Sequence, residues 1–277
     1  MSRMRPPLTI SQRLGWATAV VVGSLVLFFL MAPILAIVPL SFSSGTFLTY
    51  PLPGYSWQWY EELIASDKWL PALGNSLIVG LSATFLATVL GTLAALGLKR
   101  APIPGKPLVM GLLLSPMIVP TVITAIAVYF FFAPVGLTDN FAGLILSHTA
   151  LGAPFVVVTV SATLEHFDTD LTRAAASLGA SPAEALRRVV LPIIAPGVAT
   201  GGLFAFATSF DEVVVALMIA GPGQRTLPRE MFTGIRESMN PTITAIATVL
   251  ILISVLMLIC LEILRRRSER MTTGGER

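Results

Sequence analysis

Six stretches of this 277-residue chain contain no Asp, Glu, Lys or Arg: Leu14–Tyr60, Trp69–Leu98, Pro107–Thr138, Asn140–Leu164, Val189–Phe210 and Ser238–Leu261. A helix needs about 20 predominantly apolar residues to cross the hydrocarbon core, and each gap holds one. Backbone polar groups in lipid must be satisfied within the chain, so spanning segments read as helices. The pattern predicts an all-α polytopic membrane protein, a single transmembrane domain over residues 1–277. Its six spans fall at about 16–40, 70–98, 108–132, 141–164, 196–220 and 241–264. The first apolar run is longer than the roughly 7–15 residues of a secretory signal, and no small-residue cleavage site follows, so it reads as a retained anchor.

The connections have their own chemistry. After the first span, Trp57, Trp59, Tyr60 and Trp69 suit an interfacial anchor, with a short surface helix over about 55–65. The run KRAPIPGK, 99–106, is a turn whose two prolines and glycine stop a helix. Pro116 and Pro120 lie inside the third span. Glycine, alanine, serine and threonine recur in spans three to five, which lets helix backbones approach closely. Residues beyond Leu264 form a basic tail expected to fray.

Composition agrees: 55% of residues are hydrophobic and 12% charged, against about 25% charged in soluble domains. The net charge of +3 is unevenly placed. With the N-terminus inside and six crossings, 14 basic residues are cytosolic: Arg3, Arg5, Arg13, Lys99, Arg100, Lys106, Arg173, Arg187, Arg188, Arg265, Arg266, Arg267, Arg270 and Arg277. Only 4 (Lys68, Arg225, Arg229 and Arg236) are external. That asymmetry orients a membrane protein with both termini cytosolic. It implies lipid headgroups rather than nucleic acid as the polyanion it meets. The single cysteine, Cys260, excludes an internal disulfide framework.

Between spans four and five lies a polar insert, about 168–192. Asp168 and Asp170 precede AAASL, where carboxylates favour the free amides of a first helical turn. Gly179 fits the C-terminal cap with positive φ. Ser181, Pro182 and Glu184 read as N-cap, first helical residue and capping-box partner of a second short helix. That helix is expected to end at Leu191-Pro192, since a residue before proline is pushed out of the α region. The result is a rigid helix-turn-helix knob displaying Arg187 and Arg188, with Ala174 and Ala175 allowing close approach of a partner.

The insert resembles the signature of binding-protein-dependent ATP-binding-cassette (ABC) importer permeases: Glu-Ala-Ala, three residues, Gly, nine residues, Ile, one residue, Leu-Pro. Here Arg173-Ala174-Ala175, Gly179, Val189 and Leu191-Pro192 keep every spacing. Arg173 stands where the family has glutamate, so a salt bridge from that carboxylate has no counterpart in this chain. Asn75-Ser76, Ser209-Phe210-Asp211-Glu212, Gly221-Pro222-Gly223, Thr226-Leu227-Pro228 and Asn240-Pro241 resemble the PotC-like permeases of spermidine/putrescine importers. The resemblance implies the type I importer permease fold and a coupling helix that docks on an ATPase, carried by Arg173, Ala174, Ala175, Gly179, Ser181, Glu184, Val189, Leu191 and Pro192. It also implies two ATPase subunits that bind ATP and Mg, a second permease chain and a periplasmic solute-binding protein. The solute expected is a polyamine or related small amine. An amino-acid derivative, a phosphonate or ferric iron is the alternative within the family, and an ion-coupled secondary transporter the alternative outside it.

No phosphate-binding Gly-x-x-x-x-Gly-Lys-Ser/Thr loop occurs, so no ATP site is read in this chain. No nucleophile–base pair or Cys/His metal cluster is evident, and His148 and His166 read as structural. No cofactor, metal or catalytic site is therefore expected. Asp211 and Glu212 are the acidic residues set inside an apolar run, Asp211 about 23 Å along the fifth span from Pro196. They fit two readings, an acidic patch on a translocation path with Asn75 nearby, or a structural break after which VVVALMIAG folds back.

Overall fold

The computed structural model describes residues 9–100, 104–237 and 240–273. Arg3, Arg5 and Arg277, and residues 101–103 of the expected turn, lie outside the described residues. Among the described residues the regular secondary structure is helical, with one isolated bridge between Ser43 and Tyr55. Among the described residues five helices are long and apolar enough to cross a membrane, and a bent pair makes a sixth if taken as one span.

Two compact units divide the chain, Met1–Leu63 with Met239–Ile251, and Ile64–Ser238 with Leu252–Arg277. In the first, helix α1 (Ile10–Leu40) opens on a capping box between Thr9 and Gln12 and exposes nearly all its side chains, as a lipid-facing helix does. A short helix α2 (Gln58–Ala65) follows the outer segment. Phe42, Trp57 and Tyr60 form an aromatic cluster there, with ring centroids 4.9–5.5 Å apart. Trp59 departs from its expected anchoring role: it is buried and its indole donates to the Ser43 carbonyl at 2.6 Å.

The second unit is built on helices α3 (Trp69–Arg100), α6 (Phe141–Glu165) and α9 (Leu191–Phe210), packed mutually. Small residues set their spacing. A Cβ on Gly197 would collide with Thr163 Oγ1, one on Gly201 with Thr159 Oγ1, and one on Gly91 would stand 2.7 Å from Val156 Cβ. Ala87, Ala95, Leu96, Val156, Val160, Leu164, Val190, Ile194 and Ala205 fill the interior.

Two expected spans are broken. The third is a pair, α4 (Lys106–Ile118) and α5 (Thr121–Phe132), bent by 107°. Val119 is extended at ψ 133°, because the Pro120 ring excludes the α region for the residue before it and supplies no N–H. The fifth span ends at Phe210, ten residues before its expected end, and after Asp211–Val213 the chain restarts as α10 (Val214–Ile219).

Helix α9 also begins differently. The insert comprises α7 (Asp170–Ser177) and α8 (Pro182–Ala185), yet α8 does not stop at Leu191-Pro192. It passes through a π-helical turn, Leu186–Val190, directly into α9. Leu191 is α-helical and donates to the Leu186 carbonyl. The wider turn shifts the hydrogen-bond register where Pro192 has no donor, so the proline is accommodated without ending the helix. Beyond α11 (Leu227–Glu237), helix α12 runs Thr242–Thr273, so the basic tail expected to fray is helical.

Candidate functional site

The insert is assembled from local hydrogen bonds. Asp168 Oδ1 accepts from the Asp170 amide at 2.9 Å, opening α7. At the other end Gly179 N–H donates to Ala176 and Ala180 N–H to Ala175, the paired bonds of a Schellman cap. Gly179 has φ +87°, the positive value expected of it. On the far side of the turn, Ser181 Oγ accepts from the Glu184 amide and Glu184 Oε2 from the Ser181 amide, so the capping box is formed. Those bonds from Ser181 hold the exposed Glu184 carboxyl below the usual carboxylate range.

The residues of the signature do different things. Ala185 and Val190 are buried and seat the insert, with Ala175 and Val189 half-buried. Arg173, Ala174, Arg187, Arg188, Leu191 and Pro192 are exposed. Arg173 forms an exposed ion pair with Asp170 at 3.1 Å. Leu178, which the sequence reading did not single out, protrudes at the turn with 89% of its surface exposed. Its position directly before a positive-φ glycine was the available signal.

The adjacent acids Asp211 and Glu212 have separate fates. Glu212 is buried and its carboxylate accepts from the amides of Val214, Val215 and Ala216 at 2.8–3.2 Å. It caps the restarted helix α10, which satisfies amides that would otherwise be orphaned at a helix start. Asp211 is the C-cap of α9 and is exposed. Along α9, Phe204 and Ala207 are exposed on the same face as Asp211, at spacings of seven and four residues. Phe204 stacks on Phe155 with centroids 6.1 Å apart. Helical periodicity applied to Phe204, Ala207 and Asp211 could have revealed this stripe.

Asn75 and Ser76 act on the segment after α10. Asn75 Nδ2 donates to the carbonyls of Gly223 and Arg225, and Ser76 Oγ accepts from the Leu227 amide at 2.8 Å. Arg229 donates to the Ala220 and Gly221 carbonyls, pinning the same segment. Asn75 is therefore engaged as a clamp on this loop. His148 is buried and hydrogen-bonded through Nδ1 to Ser209 Oγ at 2.8 Å, tying α6 to α9 two residues before the break. His166 lies at the end of α6, near the Ala162 carbonyl. Among the described residues no group of three or more His, Cys, Asp and Glu stands together as metal ligands would.

Residues 87–273, which include the whole insert and both acids, match the family described as "Binding-protein-dependent transport system inner membrane component". The chain is 34% identical over 251 residues to the spermidine/putrescine transport system permease protein PotC of Escherichia coli K12, covering 89% of this chain and 93% of that protein. It is 34% identical over 230 residues to the putrescine transport system permease protein PotI of the same organism, covering 80% and 82%. Its fold matches a crystal structure of a bacterial ABC transporter involved in import of the acidic polysaccharide alginate, with TM-score 0.77 at 15% identity over 93% of this chain and 99% of that one. With this family match, polytopic helical fold and length of shared sequence, the chain belongs to the binding-protein-dependent inner-membrane transport family and is a permease subunit of an ABC importer.

Proposed function

We propose that the protein carries a small cationic amine of the polyamine class across the bacterial inner membrane, with both termini cytosolic and the chain acting as one permease domain. The observation that carries this reading is the continuous helical segment Pro182–Phe210, 29 residues. It joins the insert at one end to the exposed Asp211 at the other. A carboxylate at such depth is poorly tolerated against lipid, so the exposed face of α9 faces a polar path. There Asp211 offers an ammonium group a counter-charge that Glu212, consumed as a cap, does not. Asn75 shapes the outer edge of this path through its loop. The polyamine named for PotC and PotI supports the cationic solute.

Partners follow from the same reading. A second permease chain, different from this one, completes the path, and a periplasmic binding protein delivers the solute. Two ATPase subunits bind ATP and Mg. They grip the insert through the surface formed by Arg173, Ala174, Ala175 and Gly179. Ser181, Glu184, Val189, Leu191 and Pro192 hold it in shape and join it to α9.

Uptake of radiolabelled putrescine and spermidine by the complete importer in proteoliposomes tests the solute. Asp211→Asn is expected to cut uptake about tenfold or more, as expected for loss of a charge-assisted contact, while the complex is recovered intact. Glu212→Ala should instead lower recovery of the folded complex. Undiminished uptake by Asp211→Asn, with the variant fully assembled, would remove Asp211 from the path.

A further inference from the structure

Leu178 is the most exposed large hydrophobic side chain among the described residues, at 89%. It lies outside the six uncharged stretches, so hydrocarbon does not cover it. The Schellman bonds on either side fix it at the apex of the insert rather than leaving it on a loose loop. A fixed, solvated leucine is an anchor awaiting a pocket. The exposed residues of α7 are Asp170, Leu171, Arg173, Ala174, Ala176 and Ser177, and of these Leu171 (45% exposed) and Ala174 share the face of Leu178 at spacings of seven and four residues. That strip is one leucine and one alanine flanked by Asp170 and Arg173, far less apolar area than the Trp, Phe and Leu face of a helix that lies in a membrane surface.

The charges around it are unequally available. The three acidic side chains of the insert are all engaged: Asp168 on the Asp170 amide, Asp170 on Arg173, and Glu184 in the capping box. Arg187 and Arg188 are exposed and make no ion pair or side-chain hydrogen bond among the described residues. They sit on the π turn against which α7 packs. Arg173 spends one N–H on Asp170 and is 82% exposed. The surface thus presents a short apolar strip, Leu171 leading to the protruding Leu178, and a surplus of guanidinium donors.

We infer that the insert docks by seating Leu178 in an apolar socket of the importer's ATPase subunit, and that the socket is edged by carboxylates which take Arg187, Arg188 and the free edge of Arg173. This rests on the reading of the insert as the ATPase-coupling element. It goes further in fixing the chemistry of the partner surface: an ATPase whose socket edge is basic would be repelled by this permease.

The test uses the complete importer in nanodiscs, stripped of its ATPase and titrated with that ATPase purified. Leu178→Ser should weaken binding about tenfold or more, as loss of a leucine side chain from an apolar pocket does. Leu178→Met should bind within about twofold, as volume-conserving apolar swaps do. Arg187→Glu/Arg188→Glu should weaken binding and flatten its dependence on salt, while lysine at both positions restores it. A photo-reactive benzoylphenylalanine at position 178 should cross-link to the ATPase beside Asp or Glu residues. Binding of Leu178→Ser and of the double glutamate variant at unsubstituted strength overturns the inference. So does a cross-link into lipid, the other permease chain or a basic patch. Because Leu178 is solvated in the permease without its ATPase, its variants should keep the thermal midpoint of the unsubstituted, ATPase-stripped permease. If the unsubstituted permease itself binds no ATPase, the coupling reading fails, and that outcome is separable from the others.

Discussion

At Gly179 the backbone turns at φ +87°, and an added Cβ would meet no atom within 4 Å. A substitution there is penalised by backbone conformation alone, by about 1 kcal/mol or more for any residue with a Cβ. Gly179→Val should therefore leave the spans inserted, since the turn lies outside the hydrocarbon, and loosen the insert. Normal expression is expected, with poor ATPase recovery in pull-downs or hydrolysis uncoupled from solute in liposomes. If recovery and solute-stimulated hydrolysis both match the unsubstituted protein, the coupling role of this turn is wrong. The same scale separates Asp211 from Glu212. Asp211 closes α9 and turns outward, while Glu212, past the helix end, turns back onto three amides of α10. Their shared charge says nothing of this division, which depends on what surrounds each carboxylate.

Among the elements, α9 does the most. From Pro182 to Phe210 the helical segment extends about 43 Å at 1.5 Å per residue, one unbroken rod from the insert to the break at Asp211. The rod runs in grooves lined by small residues. Gly197→Leu would force a side chain into Thr163 Oγ1 and the Thr159 carbonyl, and should destabilise the α6–α9 pair by about 1–3 kcal/mol, as overpacking does. Gly97→Leu on α3, where an added Cβ meets nothing within 4 Å, should be close to neutral. Thermal midpoints of both variants in the same detergent check this, and equal midpoints would mean the close approach is not structural. The two breaks arise differently. At Val119–Pro120 a proline denies the helix its donor and its geometry. At Asp211–Val213 no proline intervenes, and the restart is stabilised by a buried glutamate cap. The proline inside the insert's junction, Pro192, breaks nothing, because the π turn has already shifted the ladder.

For the molecule as a whole, the basic residues at the end of α12 and those around Arg225 should lie on opposite sides of the membrane. A reporter fused after Arg267 is expected to be cytosolic and one inserted near Arg225 external; an external C-terminus would sink the six-crossing arrangement. The apolar spans were legible because lipid imposes a requirement on every residue of a crossing, written directly into composition. The insert's caps were legible because Ser181–Glu184 and Gly179 act over three or four residues, a range within which sequence dictates geometry. The ends of the fifth span were not. Its start depends on a register shift over Leu186–Val190, and its end on Glu212 finding amides in a buried setting. Sequence by itself determined that this chain spans a membrane, and that its polar insert is a capped helical turn of a known importer type. Only the tertiary structure decided which acid is free, which asparagine clamps a loop and which leucine protrudes. Exposure is a property of the packing around a side chain, and no short pattern of residues encodes it.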